Sequence, residues 1–599
     1  LAPPVRAARD RSVLVVALLL VAGQLVLRGW LVAQRHYFAD DLRLLHLADT
    51  SALLSPSYLL TDFDGHLMPG AFLVAGIVER AGPLEWWPAA VSLVVLQALA
   101  SLALLRLLRV LLGERPLLLV PLAFGLFTPV ALGSLTWWAA ALNSIPLQIG
   151  LAWYVADAVL LARTGRRRYA LTGTAALAFT FAFYLKAVLL PPVALAVVAV
   201  VLLHDRVRSP LVAAVRRGWA LWLGTVVVVA VWAVTYLSTR DQDPVAAGQA
   251  SDVVVTVRTG FRALTPAVLS APFDWLPFPP GTPLSNPSTW SVAVAAAVLL
   301  AAFLWTCVRR RGALAVWLLT AVVIGAGLLM AALGRSSLGL GHIVPLAYRY
   351  FAAEAVLLPL AGALLALLPL RERFRPGLDA PSRPARRPAT AVAALLTACF
   401  VAAAVHSTVD HARAWEGDPT AAYLDTARAS LAAAGPAPLL DQTVPSYVMW
   451  EQLSPHNVAS RVFSPLPDRP DFALATDKLQ LLDDTGRLVP ARVQPWVRAT
   501  PGPLAGCGYP VPGEGSAALT LDGPLPDRTW TAQLDVIASR DGVLTVALDD
   551  GEPVAAPVAA GLTSVFVRLT GPASELRVGT TSDGLGACVT GAAIGWVVL

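Results

Sequence analysis

Residues 12–41 read SVLVVALLLVAGQLVLRGWLVAQRHYFADD, and the two parts of that stretch decide the class of the protein between them. Residues 12–32 form an apolar run of the length a helix needs to cross a bilayer core, about 20 residues. Arg6, Arg9 and Arg11 precede it. The run is too long for an ordinary signal peptide and lacks a small-x-small cleavage site. It therefore reads as a retained first span with its N-terminus in the cytoplasm. Where the chain leaves the apolar phase it carries Tyr37-Phe38-Ala39-Asp40-Asp41, two adjacent carboxylates at the outer end of a span.

Outward from this stretch the apolar text recurs at 86–110, 116–134, 139–162, 169–187, 189–204, 218–238, 290–308, 313–333, 349–370 and 388–406. The 599 residues are 56% hydrophobic and only 14% charged, where a soluble chain would carry about a quarter charged. The net charge of +6 does not point to nucleic acid, because the bases cluster in short gaps between apolar blocks. Arg106/Arg109/Arg115, Arg163/Arg166/Arg167/Arg168, Arg206/Arg208/Arg216/Arg217, Arg309/Arg310/Arg311 and the 371–387 segment fall in alternate gaps. That alternation is the positive-inside pattern. It predicts a mainly α, multi-pass protein of the cytoplasmic membrane with about eleven spans and an extracytoplasmic C-terminus.

Three outer segments follow from this orientation: 35–87, 238–290 and the tail from His406. Long ordered connections tend to carry function. In the first, residues 41–54 and 66–78 read as helices lying on the membrane surface. The tail changes composition. Residues 419–434 look helical, whereas 517–521, 530–537, 542–548, 564–569, 575–580 and 592–599 look like strands of a small sandwich or jelly roll. The predicted organisation is a transmembrane catalytic region 1–406, an extracytoplasmic α/β linker 407–498 and a β-sandwich 499–599. Cys507 and Cys588 bracket the sandwich and are expected to form a disulfide in an oxidising compartment. Cys307 and Cys399 read as apolar packing residues.

Several side chains can carry chemistry, each with a plainer reading beside it. Asp40 and Asp41 project about 100° apart on a helix, so one can act as a general base while its neighbour orients a partner. Equally, both suit a solvated helix N-terminus. Asp62, Asp64 and His66 alternate, as a divalent-cation site or as a turn and helix cap. Lys186 either faces a cavity or snorkels to the interface. In Tyr348-Arg349-Tyr350, after Gly341-His342, the arginine either grips a phosphate or anchors the interface beside its aromatic neighbours. No Walker A, dinucleotide or G-x-S-x-G motif is present.

In order and membrane side, these features resemble the GT-C superfamily of membrane glycosyltransferases, which includes protein O-mannosyltransferases, aminoarabinose transferases and actinobacterial arabinofuranosyltransferases. The resemblance covers about residues 12–370. It rests on Asp40-Asp41 after the first span, the imperfect Gly65-His66-Leu67-Met68-Pro69, Thr128-Pro129, Lys186, and Arg349-Tyr350 opening a late helix. Where some relatives carry a further carboxylate, this chain offers Trp137-Trp138 and Asn143.

The resemblance implies an inverting transferase that moves a sugar from a polyprenyl-phosphate donor to a cell-envelope glycan or glycolipid acceptor. Asp40 would be the base and Asp41 would orient the acceptor. Lys186, Arg349 and Tyr350 would hold the donor phosphate. His66, Asp64, Trp137, Trp138 and Asn143 would line the substrate site. No metal ligand set is implied beyond a candidate divalent cation, and the sandwich would either bind an acceptor glycan or only shield the mouth of the site. A transporter or flippase of lipid-linked glycans, and a non-catalytic glycan-binding scaffold, are the competing classes.

Overall fold

A computed structural model describes residues 3–240, 250–335, 342–374 and 386–599. Gly341 and most of the basic 371–387 segment lie outside the described residues. The chain divides into two units, Leu1–Asp418 and Pro419–Leu599.

Among the described residues of the first unit, nine helices are long and apolar enough to span a membrane, from Arg11–Ala33 to Thr390–Arg413. Their surfaces fit that role. Val226, Val231, Val234 and Leu237 on Trp219–Thr239 are exposed, and a stripe of that size facing water would invite aggregation. Trp138–Thr164 is instead apolar on every face and buried, which makes it the central post of the unit. Its one acid, Asp157, is fully buried, paired with Arg106 and accepting from Thr172 Oγ1. Arg106 and Arg109 thus sit on the last turns of the Trp86–Leu112 helix, not in the gap after it; Asp157 and Glu114 neutralise them there.

Two of the eleven expected spans come out short. The block at 169–187 yields a helix of 14 residues, Arg168–Phe181, followed by a 3-10 turn, Leu185–Leu189. The block at 349–370 yields a 3-10 turn, Tyr348–Phe351, and then the 14-residue helix Glu354–Leu367. Irregular backbone at membrane depth is tolerated where it lines a protein cavity. These are the two places where Lys186 and Arg349 stand.

The long segment after the first span holds the helices Asp40–Asp49 and Pro69–Ala81, close to the two surface helices expected there. Between them lies the hairpin Asp62–Phe63/His66–Leu67. Asp64 and Gly65 both take positive φ, 52° and 79°, as a two-residue hairpin turn requires.

The second unit opens with the helix Thr420–Ala432, carries a 3-10 turn Glu451–Leu453 and a short helix Ala459–Val462, and is built of strands from Phe472 onward. One antiparallel sheet runs Arg492–Arg498, Ala587–Val598, Thr529–Ala538, Gly561–Thr570, Ala475–Thr476, with Tyr509–Val511 added against Ala587–Val598. The other runs Ser516–Leu525, Ala573–Thr580, Gly542–Leu548, Val554–Val558. Alternating side chains such as Leu519, Leu534, Val546, Val567, Val578 and Ile594 fill one core between them, the arrangement of a β-sandwich. All six expected strands are present. Cys507 and Cys588 are joined in a disulfide, tying the loop before Tyr509–Val511 to the last long strand.

Candidate active site

The site begins with a strained residue. Ala39 lies at φ 48°, ψ −120°, a region that an L-residue occupies only when its surroundings force it, at about 1–3 kcal/mol. Those surroundings are visible. Tyr37 Oη donates to Glu85 O (2.9 Å), and its ring packs edge-on to Trp86 and Trp138. Phe38 packs on Trp137 and Trp415.

Asp41 locks the corner. Its Oδ1 accepts from Ala139 N at 2.8 Å and its Oδ2 from Phe38 N at 3.3 Å. It thereby caps the N-terminus of the Trp138–Thr164 helix from 98 residues away. Burial pushes its carboxyl well above the usual range, against the pull of the two backbone N–H groups. The two carboxylates therefore differ in placement: Asp41 is a fully buried fastener, and Asp40 is half-buried and lines a cavity of about 90 Å³.

That cavity gathers residues far apart in sequence. Besides Asp40, its walls include Asp64, His66, Trp137, Asn143, Arg349 and Tyr350. Each arrives by its own element. His66 comes from the hairpin, which Tyr236 Oη tethers through Gly65 O at 3.2 Å. Trp137 immediately precedes the central helix, and Asn143 sits on that helix with its Oδ1 buried and no hydrogen-bond partner. Arg349 lies 4.2 Å over the Trp137 ring and 4.9 Å over Tyr350, and donates to Tyr350 Oη at 3.0 Å. The stacking fixes the guanidinium plane.

A second, narrower cavity shares Ser144, Tyr184, Arg349 and Tyr350 with the first. Lys186 stands in it, 7% exposed, with Nζ donating to Tyr350 O at 3.2 Å. Beyond it the walls turn apolar: Leu147, Leu151, Leu189, Leu190, Val193 and Leu357. The Asp40 cavity, lined by Arg349, thus abuts a second one in which Lys186, Arg349 and Glu354 stand among apolar walls.

Two expected residues stand outside both cavities. Trp138 is fully buried with Nε1 donating to Ser92 Oγ at 3.1 Å, outside both cavities; helix rotation turns it away from Trp137. Asp41 is likewise outside. Asp64 lines the cavity but is held by Arg43 at 2.8 Å. Asp62 closes the hairpin turn by accepting from Gly65 N at 2.7 Å. Among the described residues no three His, Cys, Asp or Glu side chains converge, so the residues here do not form a ready divalent-cation site.

Sequence reasoning missed Arg43, Tyr184, Ser144 and Glu354. Only Glu354 left a signal, as a lone acid within an apolar block.

Fold and cavity together define a multi-pass membrane protein with an acid-and-cation pocket at its helix ends and a β-rich C-terminal unit. No family model and no curated protein matches the chain. Among solved structures it is similar to ArnT from Cupriavidus metallidurans bound to undecaprenyl phosphate, at 16% identity, covering 75% of this chain and 85% of that one, TM-score 0.38. It is also similar to the arabinofuranosyltransferase AftD from Mycobacteria, at 12% identity, covering 97% of this chain and 60% of that one, TM-score 0.34. A third is the arabinosyltransferase EmbB from Mycobacterium smegmatis, at 14% identity, covering 99% and 64%, TM-score 0.26. The chain therefore spans less than two thirds of the length of the latter two. Likeness at this level assigns no residue.

Proposed function

We propose that this protein is an inverting glycosyltransferase of the outer face of the cytoplasmic membrane, using a polyprenyl-phosphate sugar donor and a glycan or glycolipid acceptor. One observation carries the reading: Asp40 and the Arg349–Lys186 pair line two abutting cavities, the second of which joins those cations to apolar walls. In this reading the lipid lies in the apolar slot, its phosphate between Lys186 and Arg349, and the sugar in the polar cavity beside Trp137 and Asn143.

Asp40 takes the proton of the acceptor hydroxyl as that oxygen attacks the anomeric carbon. The bond from the anomeric carbon to the phosphate oxygen breaks, and its electron pair leaves on the polyprenyl phosphate. The two cations are fixed where that negative charge develops, which lowers the barrier without reorganisation. Attack from the face opposite the leaving group inverts the centre. Asp41 acts as a positioning residue, holding the strained Ala39 turn that presents its neighbour.

The sandwich would capture acceptor glycan. Trp496 and Trp596 are both exposed there, with rings 5.1 Å apart, an apolar surface suited to stacking on sugar rings.

The test is transfer from radiolabelled polyprenyl-phosphate arabinose or mannose to a short cell-wall glycan, by purified protein in lipid. Wild-type transfer that collapses in Asp40→Asn, with folding unchanged, supports the assignment. Equal transfer by both proteins removes Asp40 from the role of base. Failure of the wild type to bind the donor lipids overturns the transferase reading.

A further inference from the structure

The slot that holds Lys186 also holds a carboxylate that the mechanism above does not use. Glu354 is the first residue of the Glu354–Leu367 helix, 4% exposed, with Oε2 buried and without a hydrogen-bond partner. It is electrostatically coupled to Lys186 and lines the same cavity as Lys186 and Arg349. A carboxylate beside a phosphate site is costly for anion binding, so its place there needs a reason.

Charge counting supplies one, and it rests on the transferase reading. Lys186, Arg349 and Glu354 are the ionisable side chains lining this cavity; with Glu354 ionised, two cations less one carboxylate leave one net positive charge. A sugar-phosphate-lipid donor is a phosphodiester with one negative charge. The leaving lipid phosphate is a monoester, whose second ionisation falls near pH 6, giving about −1.5 to −2 near neutrality. A site with two cations and no acid would hold the product more tightly than the donor and become product-inhibited.

We propose that Glu354 offsets the extra attraction that two cations alone would give the more highly charged monoester, so that product is held no more tightly than donor. Lys186 and Arg349 supply attraction to both lipids. Glu354 supplies the difference.

The experiment measures binding of a short-chain prenyl monophosphate and its glycosyl phosphodiester at about pH 8, where the monoester is doubly charged, to wild type, Glu354→Gln and Glu354→Asp in lipid nanodiscs. The wild type should bind the two lipids with similar affinity. Glu354→Gln should shift preference toward the monoester by about tenfold or more, and Glu354→Asp, which keeps the charge, should stay near the wild-type ratio. A tenfold monoester preference in the wild type overturns the proposal without any variant, so a misfolded mutant cannot shield it. An unchanged ratio in a Glu354→Gln protein that still binds the diester also overturns it, and this alone. Absence of binding of either lipid to the wild type overturns both this inference and the transferase reading.

Discussion

Asp40 and Asp41 show how little adjacency says about role. Their text was legible, but the sequence left open which carboxylate faces the cavity, because the decision is made by Ala39. A positive φ at an alanine is invisible in text that offers no glycine, and it follows from aromatic packing contributed by residues 85–86 and 137–138. Asp41→Ala leaves two buried N–H groups without an acceptor and should cost about 2 kcal/mol or more, read as a lowered unfolding midpoint. The pH dependence has a definite sign. The unfolded Asp41 titrates near 3.8, and burial raises it in the folded chain. Between those values the folded state binds more protons, so this contribution to stability is greatest in acid and declines as pH rises through the folded pKa. Lowering the pH from 7 to 5 should therefore raise the wild-type unfolding midpoint relative to that of Asp41→Asn. Parallel profiles would show that Asp41 does not titrate in this range.

At the scale of elements, the apolar blocks were legible because hydrophobicity survives any packing, but their interruptions were not. Residues 181–190 read FAFYLKAVLL, a continuous apolar run with one lysine, and its period does not mark the break at Ala182–Tyr184. The break arises from tertiary contact: Gly70 N donates to Ala182 O at 2.7 Å, and a Cβ at Gly70 would fall 2.6 Å from the Phe183 ring. In the sandwich, the strands Arg492–Arg498 and Val554–Val558 escaped notice because prolines interrupt their alternation, at Pro495 and Pro557. One element contact invites a direct test. The turn bearing Arg349 rests on Gly133, where a Cβ would lie 3.0 Å from Arg349 N, and backbone cannot retreat as a flexible side chain can. Gly133→Val should displace Arg349, weakening donor-lipid binding by about tenfold or more, with a smaller loss of stability. Unchanged lipid affinity would mean that the guanidinium is placed by Trp137 alone.

At the scale of the molecule, the β-rich C-terminal region was legible from the change in composition, and the cysteine pair from its placing at either end of that text. The disulfide closes a separation of 81 residues, worth about 4–5 kcal/mol at most in the chain-entropy account. Cys507→Ala/Cys588→Ala should accordingly lower the unfolding midpoint of Pro419–Leu599 while leaving donor-lipid binding by Leu1–Asp418 unchanged. A fall in lipid binding would show that the two units unfold together.

The two 14-residue helices have a last consequence, for the membrane and not the protein. Each spans about 21 Å, against a hydrocarbon thickness of about 30 Å, and both lead into the cavities proposed to receive the lipid. A bilayer meeting such short segments must dimple or admit headgroups to meet them. That mismatch would carry a phosphate down to Lys186 and Arg349 without dragging its chain out of the oil. Reconstitution in bilayers of progressively longer acyl chains should therefore slow transfer while the protein stays folded, because deepening the dimple costs more with every added ångström of thickness. The host membrane would then set the rate as surely as the acid and the cations do.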